Sequence, residues 1–193
     1  MQRKNSIAEE ITQSIEAKQK LMQYCSDEIH DIAIKLGEVI KSGNKILLCG
    51  NGGSAADSQH IAAELVVRLR SEVNRPAIPA MALTVDTSIL TAGGNDIGFD
   101  NIFARGVEAY GQKGDALIAI STSGNSENVI RAVQTAKKKG VMTIGLLGNE
   151  GGKLKSDCDD FVVVPSNVTA RIQECHILIG HIWCRIIEEI NYL

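Results

Sequence analysis

Between Ser121 and Ser126 the chain reads Ser-Thr-Ser-Gly-Asn-Ser, four hydroxyls in six residues. Gly124 lets the backbone turn tightly. Ser126 can cap a helix that begins at Glu127. The first N–H groups of a helix lack intrahelical partners and carry partial positive charge, so such a loop suits a phosphate dianion. The loop holds no lysine or arginine and therefore lacks the cation of a nucleotide-hydrolysing phosphate loop. An ordinary strand-to-helix turn also favours serine and glycine. Four hydroxyls around one glycine tip the reading toward phosphate.

A second loop, Gly50-Asn51-Gly52-Gly53-Ser54-Ala55, formally matches the dinucleotide fingerprint G-x-G-x-x-A. That would make the protein an NAD-dependent oxidoreductase. The fingerprint also wants an acidic residue closing the next strand, about 20 residues on. Glu72 has the spacing but follows a helix that the pattern carries to Arg70. Asp86 follows the strand but lies too far along. Asn51 between glycines instead suggests amide and backbone contacts to a polyhydroxylated ligand, with no nucleotide cofactor.

His60 and Glu64 stand at i and i+4 on the helix after this loop and share a face, with Arg68 continuing the stripe. The core face of that helix belongs to Ile61, Leu65 and Leu69, so the polar stripe is separate from the core. It reads as a solvated ladder, an acid–base pair or two ligands of a metal; histidine and carboxylate suit Zn²⁺, but two ligands do not make a site. The last helix carries Gln173, His176 and His181 among Ile172, Ile177, Leu178, Ile179, Ile182, Trp183, Ile186 and Ile187. It is apolar nearly all round, which predicts burial of both faces, one against another subunit.

These loops need a scaffold. Short apolar runs at 45–49, 80–84, 116–120, 142–147 and 161–164 alternate with helical stretches at 54–70, 101–110 and 127–139. The alternation predicts a five-stranded parallel sheet covered on both faces, with ligands beyond the carboxyl ends of the strands. The first forty residues read as two helices, the second capped by Ser26 and ended by Gly43. A final helix spans roughly 170–191. With 193 residues, three prolines and no linker composition, residues 1–193 read as a single domain.

Composition narrows the function. The net charge of −3 and 4% aromatics argue against a nucleic-acid partner. No apolar run reaches the ~20 residues of a membrane helix, and the polar stretch from Met1 to Glu10 is no signal peptide. Five cysteines without a Cys-x-x-Cys pair read as reduced thiols of a cytoplasmic protein.

Taken together, Cys49-Gly-Asn-Gly-Gly-Ser54, Gln59-His-Ile-Ala-Ala-Glu64, Gly94-Asn-Asp96, Ser121–Ser126 and Ala170-Arg-Ile-Gln-Glu-Cys-His176 with His181 resemble the bacterial phosphoheptose isomerases of the sugar isomerase (SIS) domain superfamily. The resemblance covers almost the whole chain. It implies a flavodoxin-like three-layer α/β/α sandwich and a homotetramer with active sites at subunit interfaces. It also implies conversion of sedoheptulose 7-phosphate to D-glycero-D-manno-heptose 7-phosphate by enediol proton transfer, the first step toward activated heptose for surface polysaccharides such as lipopolysaccharide. By the motif match, Ser121, Thr122, Ser123 and Ser126 would hold the phosphate. Asn51, Gly52, Gly53, Glu64, Arg68, Asn95, Asp96 and Gln173 would contact substrate. Glu64 and His181 would be the acid–base pair, and His60, Glu64, Gln173 and His181 a Zn²⁺ site. A non-catalytic relative in the superfamily binds the replication initiator protein; it shares the glycine and serine loops but lacks the catalytic glutamate and histidine, both present here.

Overall fold

The computed structural model describes residues 2–193, with side chains from Ser6 onward; Met1 lies outside the described residues. Helix α1 (Gln2–Lys41) leads into strand β1 (Ile46–Gly50). Then follow α2 (Gly53–Val66), β2 (Ala80–Ala82), α3 (Thr87–Asp96), a 3₁₀ turn at Phe99–Asn101 and α4 (Ile102–Tyr110). The second half runs β3 (Ala116–Ser121), α5 (Glu127–Lys138), β4 (Met142–Leu147), α6 (Leu154–Asp157), β5 (Asp160–Val163) and α7 (Thr169–Tyr192).

The five strands are all parallel, in the order β2-β1-β3-β4-β5. The sheet is an α/β/α sandwich because its side chains alternate between two cores. Ile46, Leu48, Ile118, Ile120, Ile144 and Leu146 face α1, α2 and α7. Leu47, Cys49, Leu117, Ala119 and Leu147 face α4 and α5. Burial on both faces explains why β1 and β3 read as unbroken apolar runs.

Two expectations change. The first forty residues form one helix of 40 residues, not two. Ser26 caps nothing; its hydroxyl donates back to the Met22 carbonyl (2.6 Å), a bond made inside a continuous helix. Helix α2 stops at Val66, short of Arg70. The apolar girth of α7 is met largely inside the chain. Its inner face packs on the sheet and α2, while α1 covers another face, tied by Trp183 Nε1 donating to the Ile29 carbonyl (3.0 Å).

Candidate active site

The strand order reverses direction between β1 and β3, and ligands of such sheets bind at that switch point. Both loops singled out by sequence leave the sheet there, since Gly50 pairs with Ile120 in register. A reciprocal amide pair ties them: Asn51 Nδ2 donates to Asn128 Oδ1 and Asn128 Nδ2 to Asn51 Oδ1, each at 2.9 Å.

The serine loop is braced from behind. The Ser121 and Ser126 hydroxyls lie 3.0 Å apart, and the Gly124 N–H donates to Ser121 Oγ (3.1 Å). Ser126 occupies the N-cap position of α5, but its hydroxyl turns to Ser121 instead of capping the helix. Gly124 has φ +67°, and a Cβ there would run into the Gly151 carbonyl. Only glycine fits such a position without strain. The second wall, Gly148–Gly152, is fastened by Asn149 Nδ2 donating to the Thr122 carbonyl (2.8 Å) and by Leu154 N donating to the Gly124 carbonyl (3.0 Å). Ser121 is buried, whereas Ser123 is exposed.

The second group of residues lies down helix α2. His60 Nε2 stands 3.2 Å from Glu64 Oε1 and 2.9 Å from His181 Nε2 of α7. The three donor atoms lie within 4.8 Å of one another. An imidazole nitrogen offers one hydrogen or one lone pair. His60 Nε2 therefore cannot satisfy both neighbours fully by itself, and a shared proton or cation between the three groups would. Two imidazoles and a carboxylate are donors that zinc accepts. Half of the His60 side chain is solvent-accessible, against 20% for Glu64. The trio opens to solvent.

Gln173 is not with them. Helix α7 is regular from Thr169, so the eight residues from Gln173 to His181 span ~12 Å. Its amide presses on Gly53 at the start of α2, closely enough that any Cβ there would collide with it. Arg68 also leaves the stripe. It lies beyond the end of α2, exposed, and Nη1 donates to the Ser71 carbonyl (3.3 Å). Asn95 and Asp96 close the C-terminal end of α3, exposed and bonded to each other (2.7 Å). Of the two acids weighed for a dinucleotide, Asp86 caps α3 through Ile89 N (2.9 Å) and Glu72 sits on an exposed turn.

Sequence reasoning passed over Asp57, one turn before His60. Burial pushes its carboxyl up to about 6, against the opposing pull of His60, and Oδ2 has no hydrogen-bond partner. Its i, i+3 spacing to His60 was the available signal. His176, singled out on the last helix but given no role there, has Nε2 donating to the Leu147 carbonyl (3.0 Å) behind the serine loop. Burial pulls that imidazole down to about 4, so it is neutral.

A doubly wound sheet with a serine-rich loop at its switch point defines the class, and the SIS domain model matches residues 7–148. The chain belongs to that family. Within it the chain belongs to the phosphoheptose isomerases. It is 55% identical to the phosphoheptose isomerase of Nitratiruptor sp., over 95% of this chain and 97% of that one. It is 54% identical to that of Clostridium acetobutylicum, over 96% and 95%. The solved phosphoheptose isomerase from Neisseria gonorrhoeae superposes with a TM-score of 0.91 at 43% identity, covering 96% of this chain and 98% of that one. The one from Francisella tularensis gives 0.93 at 38%, covering 98% and 100%.

Proposed function

We propose that this protein is an isomerase that converts sedoheptulose 7-phosphate to D-glycero-D-manno-heptose 7-phosphate, supplying heptose for activated sugars of surface polysaccharide, lipopolysaccharide among them. The observation that carries this reading is the convergence of Glu64, His60 and His181 in a chain of this family. Ketose-to-aldose exchange moves one proton from C1 to C2 and, in effect, a second from the C1 hydroxyl to the carbonyl oxygen on C2. Glu64, only one-fifth exposed, is the base that carries the carbon-bound proton, and His181 is the acid at the oxygen. Ser121, Thr122, Ser123 and Ser126 hold the phosphate with neutral donors and the α5 terminus. Asn51, Gly52 and Gly53 take the sugar chain.

The donor set supports a Zn²⁺ ion on His60, Glu64 and His181. When bound, it would polarise the substrate carbonyl as a Lewis acid in place of a proton from His181, because a lone pair of Nε2 held by the metal leaves no proton there to give. Gln173 joins that set only if another copy of the chain supplies it, given the ~12 Å of helix between it and His181. A homotetramer with sites between subunits agrees with this. It also agrees with the exposed stripe Ile7, Ile11 and Ile15 on α1, spaced four residues apart. In such a site Arg68, Asn95 and Asp96, all exposed in the single chain, reach sugar hydroxyls. Five unpaired buried thiols support a cytoplasmic location.

The direct test is to incubate the purified protein with sedoheptulose 7-phosphate and follow aldose phosphate formation. Conversion is expected. A folded protein that leaves the ketose untouched would defeat the proposal.

A further inference from the structure

The side chains of the trio come from two helices far apart in sequence, so their spacing depends on how α2 sits against α7. One buried ion cluster joins the two. Glu188 of α7 is 0% exposed. Its carboxylate accepts from Arg75 Nε (2.8 Å), Arg70 Nε (3.1 Å) and Leu69 N (3.4 Å). The Arg75 side chain is likewise 0% exposed. Its other nitrogens turn to the end of α2. Nη2 donates to the carbonyl of Glu64 itself (2.8 Å), and Nη1 to those of Leu65 (2.8 Å) and Pro76 (2.9 Å).

The last carbonyls of a helix lack intrahelical partners, and a guanidinium meets them with a planar, rigid fork. On the other side, Glu188 lies seven residues after His181, two turns along the same face of α7. A buried ion pair is an inefficient way to gain stability, because desolvation offsets much of its attraction. What this one supplies is direction.

We propose that Arg75 and Glu188 are positioning residues: a single guanidinium grips the main chain of Glu64 and the face of α7 that carries His181, and so fixes the distance between the two reacting groups. Neither residue touches substrate. The inference rests on the isomerase reading only for its kinetic consequence.

The test uses the full chain with Arg75→Lys, which keeps the charge facing Glu188 but loses the fork. Glu188→Gln is the second variant, with Asp115→Asn as comparison. Asp115 is a buried carboxylate paired to Lys45 (2.6 Å) at the opposite, N-terminal edge of the sheet. Two readouts are taken at 20 °C on folded protein: kcat and KM for sedoheptulose 7-phosphate, and the imidazole NMR signals of His60 and His181. We expect kcat to fall at least tenfold in Arg75→Lys, with KM within about twofold and both imidazole signals displaced. Glu188→Gln should repeat this. Asp115→Asn should lower the melting temperature with kcat and the imidazole signals unchanged. If a folded Arg75→Lys or Glu188→Gln protein behaves as Asp115→Asn does, the pair only stabilises and the proposal is overturned. If the wild type proves inactive on the ketose, the isomerase reading falls, and the imidazole signals alone still decide the clamp.

Discussion

The Nε2 atoms of His60 and His181 stand 2.9 Å apart although 121 residues separate them, and Glu64 is the third member of the group. The contact makes α2 and α7 one functional unit. It also means that replacing one member alters the surroundings of the other two.

Glu64→Gln keeps shape and hydrogen bonding but removes the proposed base. Turnover should fall by ~10²–10⁴, the usual worth of general acid–base catalysis, while substrate still binds. His181→Gln should act similarly. A ladder that is only structural would lower the melting temperature at near-normal turnover. Turnover, melting temperature and bound zinc, measured together on both variants, separate these outcomes.

Ser123 is the exposed hydroxyl of the serine loop, so its loss leaves the bracing bonds of Ser121 intact. Ser123→Ala should raise KM about tenfold with little change in melting temperature, since a hydrogen bond to a charged group is worth ~1.5–3 kcal/mol. Gly124→Ala should damage both, because its Cβ meets the Gly151 backbone at a left-handed φ of +67°. Titration with inorganic phosphate as competitor checks each. An unchanged KM in both variants would place the phosphate elsewhere.

His176 makes stability sensitive to acid. Its imidazole is held at about 4 by burial, while in the unfolded chain it titrates near ~6.5. As pH falls below the unfolded value, the unfolded chain takes up a proton that the native state refuses. Stability is therefore lost between about 6.5 and 4, roughly 2 kcal/mol of it by pH 5. Urea unfolding at pH 7 and pH 5 should show this loss in the wild type and a smaller one in His176→Gln. Equal pH sensitivity in the two proteins would remove His176 as the cause.

Ile7, Ile11 and Ile15 each expose more than half their surface. If a second copy covers them, light scattering at micromolar concentration should give a mass above that of one chain. The double change Ile11→Glu and Ile15→Glu should then reduce it and lower activity with it. A wild-type monomer would end both the assembly and the shared site.

Much of this was readable beforehand, for local reasons. Strand β4 falls at 142–147 as its apolar run predicts, and both loops at the switch point announce themselves through turn chemistry that acts within a few residues. The misreadings came where local signals compete with tertiary packing. Ser26 looks like a cap, but α1 runs straight through it because Leu21, Cys25, Ile29 and Ile32 keep one continuous apolar stripe on the core. Helix α3 escaped notice because Gly93 and Gly94 dilute its pattern. Arg68 keeps helical spacing on paper, yet the helix ends first. Nothing in sequence pairs Arg75 with Glu188 across 113 positions, since only the folded chain brings them together.

The two outer strands are short: β2 has three residues and β5 four. Each leaves only a stub of open ladder, and Asp160 on β5 is held by Lys35 from α1. A sheet finished in this way offers little template for strand-by-strand recruitment of a neighbouring molecule. If copies of the protein assemble, they would therefore meet through helical surfaces, and changes that blunt those surfaces should yield dispersed single chains rather than fibrous aggregates.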